Sequence, residues 1–222
     1  MSGRDCDLLV FVTGTNTDVG KTWWGAAVAT ILREHGVAVA ARKPAQSFAP
    51  HDTSRDADAL AAATGEGAEE VSPPHRWYPI PLAPPMAAEA LGRPSFRVAE
   101  LADETGWTGH REVVLVEGAG GPRSPIADDG DNVDLARALG VDHVVLVAEA
   151  GLGTINAVRL CASAIAPLHV TVALNRYLAD DDLHARNHAW LVERAGLDVV
   201  TSPGDLADAL VTRARKRAAR SG

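Results

Sequence analysis

Residues 14–22 read Gly-Thr-Asn-Thr-Asp-Val-Gly-Lys-Thr, directly after the apolar run 8–12 and before an Ala-rich stretch with helical character. A glycine-rich loop between a strand and a helix is typical of phosphate binding, because its backbone N–H groups and the helix N-terminus attract a polyphosphate. Lys21 adds a cation, and Thr22 adds a hydroxyl that suits Mg²⁺. The segment therefore predicts a nucleoside triphosphate and Mg²⁺ as ligands.

The loop departs from the strict pattern at one position. That pattern places a glycine at position 15, where this chain has Thr15, and the glycine stands at Gly14. An ordinary glycine turn is the alternative, but the strand before the loop and the helix after it favour phosphate binding. We expect the nucleotide to contact the loop and the helix start: Asn16, Thr17, Asp18, Val19, Gly20, Lys21 and Thr22.

Short apolar runs alternate with longer helical stretches along the whole chain. The predicted strands are 8–13, 37–41, 113–117, 143–148 and 169–174. The predicted helices are 22–34, 54–63, 86–91, 133–139, 154–166, 184–194 and 204–219. Continuous apolar strands are typical of a parallel sheet covered on both sides. We therefore expect one α/β domain over residues 1–222, a doubly wound, mainly parallel sheet with helices on both faces, of the P-loop NTPase type.

Composition excludes several classes of protein. A net charge of -8 argues against general nucleic-acid binding, which depends on neutralising phosphates. The chain lacks the roughly 18 to 20 consecutive apolar residues of a membrane span, so we expect a cytoplasmic protein that binds neither nucleic acid nor membrane. The two cysteines, Cys6 and Cys161, indicate neither a disulfide framework nor a zinc site. The basic run 213–220 is typical of a solvated helix end, although an acidic partner stays open.

Two charged residues stand at the ends of predicted strands, where ligands of parallel α/β sheets bind. Lys43 follows the second strand and precedes a proline, so it is a candidate for holding a reacting anion or, alternatively, a surface charge. Glu117 ends the third strand, where a buried carboxylate needs a cation or a metal. We expect Glu117 to bind Mg²⁺, and Gly120 in the following turn to let the backbone approach the nucleotide.

The other metal carboxylate is expected after the second strand. Asp56 and Asp58 both lie there, and we assign Asp58 to the magnesium with Asp56 as the alternative. Residues 151–156, the Gly153 entrance, form a second glycine-rich helix start whose free amides suit a substrate carboxylate. An ordinary capped helix start is the alternative there.

Four segments together resemble the dethiobiotin synthetase family, in the family's order. They are Gly-Thr-Asn-Thr-Asp-Val-Gly-Lys-Thr at 14–22, Lys-Pro-Ala-Gln-Ser at 43–47, Val-Glu-Gly-Ala-Gly-Gly at 116–121 and Leu-Gly-Thr-Ile-Asn at 152–156. The resemblance extends over about the first 175 residues, and the displaced glycine of the loop is a habit of this family. It implies an ATP-dependent ligase that converts 7,8-diaminopelargonate, CO₂ and MgATP to dethiobiotin, ADP and phosphate.

The resemblance also implies a role for each site residue. Lys21 and Lys43 are expected to offset charge on the phosphates and on a carbamate, and Thr17 and Ser47 to hydrogen-bond that carbamate. Thr22, Asp58 and Glu117 are expected to organise Mg²⁺, and Asn175 to read the adenine edge. The enzyme is expected to be a homodimer with its active site at the subunit interface, where Gly153, Thr154 and Asn156 of the other subunit receive the substrate carboxylate.

Departures from the family pattern keep alternatives open. Phe48 stands where the family usually has glycine, Ala157 replaces a common histidine, and the C-terminal quarter is only weakly similar. A relative with another substrate is therefore one alternative. A partition-type P-loop ATPase switch is another, although such proteins share a lysine at the position of Asn16.

Overall fold

The computed structural model describes residues 5–52 and 54–221, and a six-stranded sheet forms its centre. Its strands are β1 (Cys6–Gly14), β2 (Val39–Arg42), β5 (Arg111–Glu117), β8 (His143–Glu149), β9 (Val170–Asn175) and β10 (Asp198–Val200). They lie in the order β10-β9-β8-β1-β5-β2, and every neighbouring pair is parallel. The carboxyl ends of all six therefore meet at one edge of the sheet, where a ligand of this fold binds.

The central strands are buried on both sides because neighbouring side chains point to opposite faces. Leu9 and Phe11 pack into a core under the middle helices of the chain, whereas Val10 and Val12 pack against the first and last helices. This arrangement explains the continuous apolar runs and confirms the expected doubly wound fold with helices on both faces.

The bounds of the long helices agree with the predicted ranges to within about two residues at each end. Their bounds are α1 (Lys21–Glu34), α2 (Asp56–Thr64), α3 (Ala68–Val71), α4 (Pro84–Ala90), α5 (Val98–Glu104), α6 (Asn132–Leu139), α7 (Thr154–Ile165), α8 (Asp182–Glu193) and α9 (Pro203–Ser221). The short helices α3 and α5 and the edge strand β10 had not been predicted. The four residues of α3 and the three of β10 are too few to show a clear hydrophobic period.

Two small strand pairs complete the described part of the chain. A parallel pair joins β3 (Gln46–Ser47) to β4 (Trp77–Tyr78), and an antiparallel pair joins β6 (Pro125–Ala127) to β7 (Gly130–Asp131). Segment 72–85 contains a 3₁₀ turn, Pro74–Arg76, the strand β4 and the first two residues of α4. Within the described residues, no helix has both the length and the apolar character needed to cross a membrane.

Candidate active site

The loop between β1 and α1 shows why its glycine stands at position 14. A Cβ at Gly14 would lie 2.5 Å from Val19 Cγ2, which folds back over the end of the strand. Thr15 points elsewhere and donates its backbone N–H to the carbonyl of Val147, 2.8 Å away on β8. Close packing therefore requires glycine at position 14 and tolerates a side chain at position 15.

Lys21 and Thr22 begin α1 and turn their side chains toward the loop and the neighbouring strand ends. Lys21 is buried and donates from Nζ to the carbonyl of Asn16 at 3.1 Å. Burial lowers the pKa of Lys21, and repulsion from Lys43 acts in the same direction. An anion on the loop would offset both effects, so the site is suited electrostatically to polyphosphate.

Asn175, at the end of β9, contacts the phosphate loop from the side of the sheet where β8 and β9 lie. Its Nδ2 donates to the carbonyl of Val19 at 2.9 Å, and its Oδ1 accepts from Trp24 Nε1 at 3.2 Å. These contacts fix the loop to the sheet and to α1. The amide can still make one further bond from each end, so reading of an adenine edge stays a prediction.

Four side chains on the β2 and β5 side of the loop form what we term the charged cluster: Thr22, Lys43, Asp56 and Glu117. Lys43 Nζ lies 2.8 Å from Asp56 Oδ2 and 2.5 Å from Glu117 Oε1. Thr22 Oγ1 lies 2.9 Å from Asp56 Oδ1 and 2.9 Å from Glu117 Oε1, and its single proton is donated to one of them at a time. Lys43 also donates to the carbonyl of Gly118 at 3.0 Å. The sequence-predicted Lys43, Thr22 and Glu117 are therefore brought together.

Burial and charge set the protonation states of the charged cluster. Burial alone lowers the pKa of Lys43, but Asp56 and Glu117 outweigh it and hold that pKa above its ordinary value. The Lys43 ammonium in turn holds the pKa of Asp56 below its usual range. Burial raises the pKa of Glu117, and the nearby Asp56 carboxylate adds to the rise. An ammonium and at least one carboxylate therefore face the end of the loop.

The structure corrects the position expected for Asp58. Asp58, the third residue of α2, accepts from the backbone N–H and from Nη2 of Arg55, the residue before the helix, at 2.9 Å in each case. This local bonding turns Asp58 away from the charged cluster, and Asp56 in the first turn of α2 takes the place beside Thr22 and Glu117. Sequence spacing leaves Asp56 as the alternative, and the contacts with Lys43 and Thr22 put Asp56 in the charged cluster. Which of the two residues binds Mg²⁺ stays a prediction.

Two polar residues that had not been singled out hold the site in shape. Gln46 Oε1 accepts from the backbone N–H of Ala57 at 3.2 Å and so fixes the start of α2 beside Asp56. Asn132 is buried, accepts from the N–H of Ala119 at 3.1 Å and donates to its carbonyl at 2.7 Å, which shapes the turn after Glu117. Gln46 stands in the segment Lys-Pro-Ala-Gln-Ser at 43–47, which could have singled it out, whereas Asn132 lies outside the four family segments.

The remaining loop residues line the same edge of the sheet. A Cβ at Gly120 would lie 3.9 Å from Thr17 Oγ1, so the phosphate loop and the turn after Glu117 face each other. Ser47 Oγ is buried, and no hydrogen-bond partner for it occurs among the described residues. Roles for Thr17, Ser47 and Gly120 in binding stay predictions.

The Gly153 entrance lies on the opposite side of the loop from Lys43, because it follows β8 and Lys43 follows β2. Thr154 is buried, Asn156 is exposed, and Leu152 is 92% exposed. Asn187 on α8 donates to the carbonyls of Ala150 and Gly151 at 2.9 and 3.0 Å and so holds the turn. The entrance is well supported from within and open on its outer side.

The charged cluster fits Mg²⁺ carried by a polyphosphate. Its oxygen donors are hard ligands, and Glu117 Oε2 is buried with no hydrogen-bond partner in the part of the chain that the structure describes. Among those same residues, no group of three or more His, Cys, Asp and Glu side chains is placed to hold a metal ion. Two carboxylates and a hydroxyl suit Mg²⁺ nonetheless, because this ion usually keeps waters and phosphate oxygens in its shell.

The parallel sheet, the loop at its central strand and the charged cluster beside it define a nucleotide-binding protein of the P-loop class. A family model described as an AAA domain matches residues 9–200. A protein of Anaeromyxobacter dehalogenans named ATP-dependent dethiobiotin synthetase BioD is 36% identical over 89% of this chain and 92% of its own length. A protein of Rhodococcus jostii with the same name is 42% identical over 71% of this chain and 67% of its own. The chain belongs to the ATP-dependent dethiobiotin synthetase family, which confirms the predicted enzyme class.

Solved structures show the same fold at low identity. A signal recognition particle receptor FtsY from Elizabethkingia anophelis matches 94% of this chain with a TM-score of 0.50 and 14% identity. A DUF1611 family protein from Anabaena variabilis matches 96% with a TM-score of 0.53 and 17% identity. The chain spans 65% and 58% of those longer proteins. These likenesses concern the fold alone, since function depends on the residues of the site.

Proposed function

We propose that this protein is an ATP-dependent ligase that carboxylates and closes the ring of 7,8-diaminopelargonate to give dethiobiotin, ADP and phosphate. One amine of the substrate forms a carbamate with CO₂ and loses a proton. A carbamate oxygen then attacks the γ-phosphorus of ATP, and the bond from that phosphorus to the ADP oxygen breaks. The second amine attacks the carbamoyl carbon, loses its proton, and phosphate leaves as the ring closes.

One observation carries this proposal. Lys43 is a buried ammonium that lies 2.5 Å from Glu117, at the end of the phosphate loop where a γ-phosphate would lie. A fixed cation at this point offsets the charge that develops when a carbamate oxygen approaches a phosphate. A partition-type switch carries its second lysine within the loop, at the position that Asn16 occupies here, whereas this chain has it directly after β2.

The other residues of the site support the same reaction. Lys21 and the loop amides would bind the phosphates, and Thr17 and Ser47 would hold the carbamate. When Mg²⁺ is bound with ATP, Thr22, Asp56 and Glu117 would hold it, and the ion supplies positive charge to the phosphates. Because Asp56 and Glu117 both contact Lys43 in this structure, the ammonium holds the carboxylates in place before the ion arrives.

The homodimer belongs to this proposal as well. The Gly153 entrance faces away from Lys43 in its own chain, and its outer side is open, with Leu152 exposed. We expect the amides of Gly153 and Thr154 and the side chain of Asn156 to receive the substrate carboxylate in the active site of a second copy. The substrate would then lie between two subunits, with its amines beside Lys43 of one and its carboxylate on the other.

The direct test is an assay of phosphate release from MgATP, with and without diaminopelargonate and bicarbonate. We expect release only when both are present, together with formation of dethiobiotin. Parallel reactions with CTP and GTP would measure the preference for the base. Rapid ATP hydrolysis without the diamine, stimulated by DNA or lipid vesicles, would contradict the ligase function and favour a partition-type switch. Turnover with a different diamine would instead indicate a relative with another substrate.

A further inference from the structure

Trp23 is a large aromatic residue left in solvent beside the phosphate loop. It follows Thr22 in the first turn of α1, and 58% of the residue is exposed. Indole rings bury large apolar areas in most proteins, so an exposed one directly beside a binding loop points to a ligand. The charged cluster does not include it.

The direction of the nucleotide across the loop follows from the sheet. Lys43 and Glu117 follow β2 and end β5, on one side of the central strand β1, and they mark the end of the triphosphate that reacts. The nucleoside must therefore extend toward the other side, where β8 and β9 lie. Asn175 ends β9 and holds the loop from that side.

A chain of contacts places Trp23 on this nucleoside side. The ring centroids of Trp23 and Trp24 are 5.9 Å apart in an edge-to-face arrangement. Trp24 is buried, and its Nε1 donates to Asn175 Oδ1. Asn175 in turn donates to the carbonyl of Val19 in the loop. Trp24 is thus fixed by the protein, and Trp23 presents its ring to solvent at the same place.

We propose that the Trp23 indole forms a wall of the nucleoside site and packs against the base of the bound nucleotide. Stacking of this kind tolerates any base because every base has a π face, so Trp23 would add affinity without choosing between ATP, CTP and GTP. Selection of a base would be left to hydrogen bonds from groups such as Asn175. The role of Trp23 rests on the proposed function, because it requires a nucleotide on the loop.

Binding of MgADP and magnesium pyrophosphate to the full-length protein separates the base from the phosphates. Trp23→Ala is expected to weaken MgADP binding about tenfold, as base–aromatic stacking predicts, and to leave pyrophosphate binding unchanged. Trp23→Phe keeps an aromatic face and is expected to hold MgADP within about threefold of the unaltered protein. If Trp23 only supported the fold of the loop, Trp23→Ala would lower the affinity for MgADP and for pyrophosphate alike.

Fluorescence provides a second readout. We expect MgADP to change the tryptophan emission of the unaltered protein and that change to be largely lost in Trp23→Phe. Trp107→Phe is the matched control, because Trp107 donates to the carbonyl of Asp5 at the amino end of β1, opposite the loop. That variant should keep the full response.

Equal MgADP affinity in Trp23→Ala and the unaltered protein would overturn the role of Trp23. The same holds if the variant changes the oligomeric state alone, since Trp23 would then contact a second copy. Failure of the unaltered protein to bind MgADP at all would instead contradict the proposed function. Loss of both MgADP and pyrophosphate binding would show that Trp23 supports the loop, and would also overturn its contact with the base.

Discussion

On the β2 and β5 side of the phosphate loop, Lys43 contacts Asp56 and Glu117, and Thr22 contacts both carboxylates. On the β8 side, the Gly153 entrance presents a leucine that is 92% exposed and an exposed asparagine. The side chains of the first region contact one another, whereas the turn of the second is held from within by Asn187 and its outer side is exposed.

The difference is consistent with separate roles for the two regions in the proposed reaction. Groups that stabilise charge during phosphoryl transfer act best when they are fixed beforehand, and a single chain fixes the charged cluster completely. Binding of a carboxylate far from the reacting atoms tolerates later assembly, so under the proposed function the Gly153 entrance would be completed by a second subunit. Variants of the charged cluster should therefore lower turnover, whereas variants of the Gly153 entrance should change dimer formation and the KM for the diamine.

The largest effect is expected for Lys43→Ala. The variant removes the fixed cation beside the reacting phosphate, and losses of about 10² to 10³ in kcat are typical for one such group. Affinity for MgADP should stay close to that of the unaltered protein, because Lys21 and the loop amides remain. Steady-state turnover and equilibrium binding of MgADP check the two parts separately.

Lys21→Ala is the matched comparison for Lys43→Ala. It removes the cation that lies on the loop itself, so both turnover and MgADP binding should fall. Binding of MgADP also shows that Lys43→Ala folds, although Glu117 loses its buried partner. A fully active Lys43→Ala variant would remove the main support for the ligase function.

Asp56→Asn and Asp58→Asn test which carboxylate serves the charged cluster. Asp56→Asn should lower kcat/KM on the order of 100-fold and require more Mg²⁺, since the ion contributes several kcal/mol of charge stabilisation. Asp58→Asn removes a partly exposed partner of Arg55, so it should cost only about 1 kcal/mol of stability or less and leave turnover unchanged. Titration of activity with Mg²⁺ distinguishes them, and the reverse ranking would contradict the position given to Asp56.

Much of the fold could be predicted because burial on both faces makes the parallel strands continuous apolar runs. The phosphate loop, Lys43 and Glu117 could be found because each stands at the end of such a run. The shortest elements could not, since the four residues of α3 and the three of β10 are too few to show a period.

Sequence patterns could not predict which of Asp56 and Asp58 lies in the charged cluster. Both carboxylates follow the same strand, and the start of α2 at Asp56 places Asp56 in the charged cluster and Asp58 on Arg55. Asn132 escapes prediction for a similar reason, because it shapes the turn after Glu117 from a distant helix start. Tertiary contacts of this kind leave no local pattern.

Gly118→Ala and Gly151→Ala compare the packing of the two regions. A Cβ at Gly118 would lie 2.2 Å from Asn132 Oδ1 and 2.9 Å from Phe11 Cζ, whereas one at Gly151 has no neighbour within 4 Å. Gly118→Ala should lower the free energy of unfolding by about 1 to 3 kcal/mol, as overpacking does. Gly151→Ala should leave it unchanged or raise it by up to about 1 kcal/mol. Denaturant titration measures both, and equal effects would show that the two turns are packed alike.

The smallest effect is expected for Leu152→Asp in the Gly153 entrance. If a second copy covers Leu152, a buried carboxylate there should weaken the dimer and raise the KM for the diamine about tenfold, since burial of a leucine is worth about 1.5 to 3 kcal/mol. Affinity for MgADP should not change, because the loop and the charged cluster belong to one chain. Met86→Asp is the control, as Met86 is 52% exposed on α4 and lies outside the entrance. Sedimentation measures dimer formation by the two variants, and steady-state kinetics measures their KM for the diamine. An unchanged dimer and an unchanged KM in Leu152→Asp would mean that the carboxylate end of the substrate does not bind at this entrance.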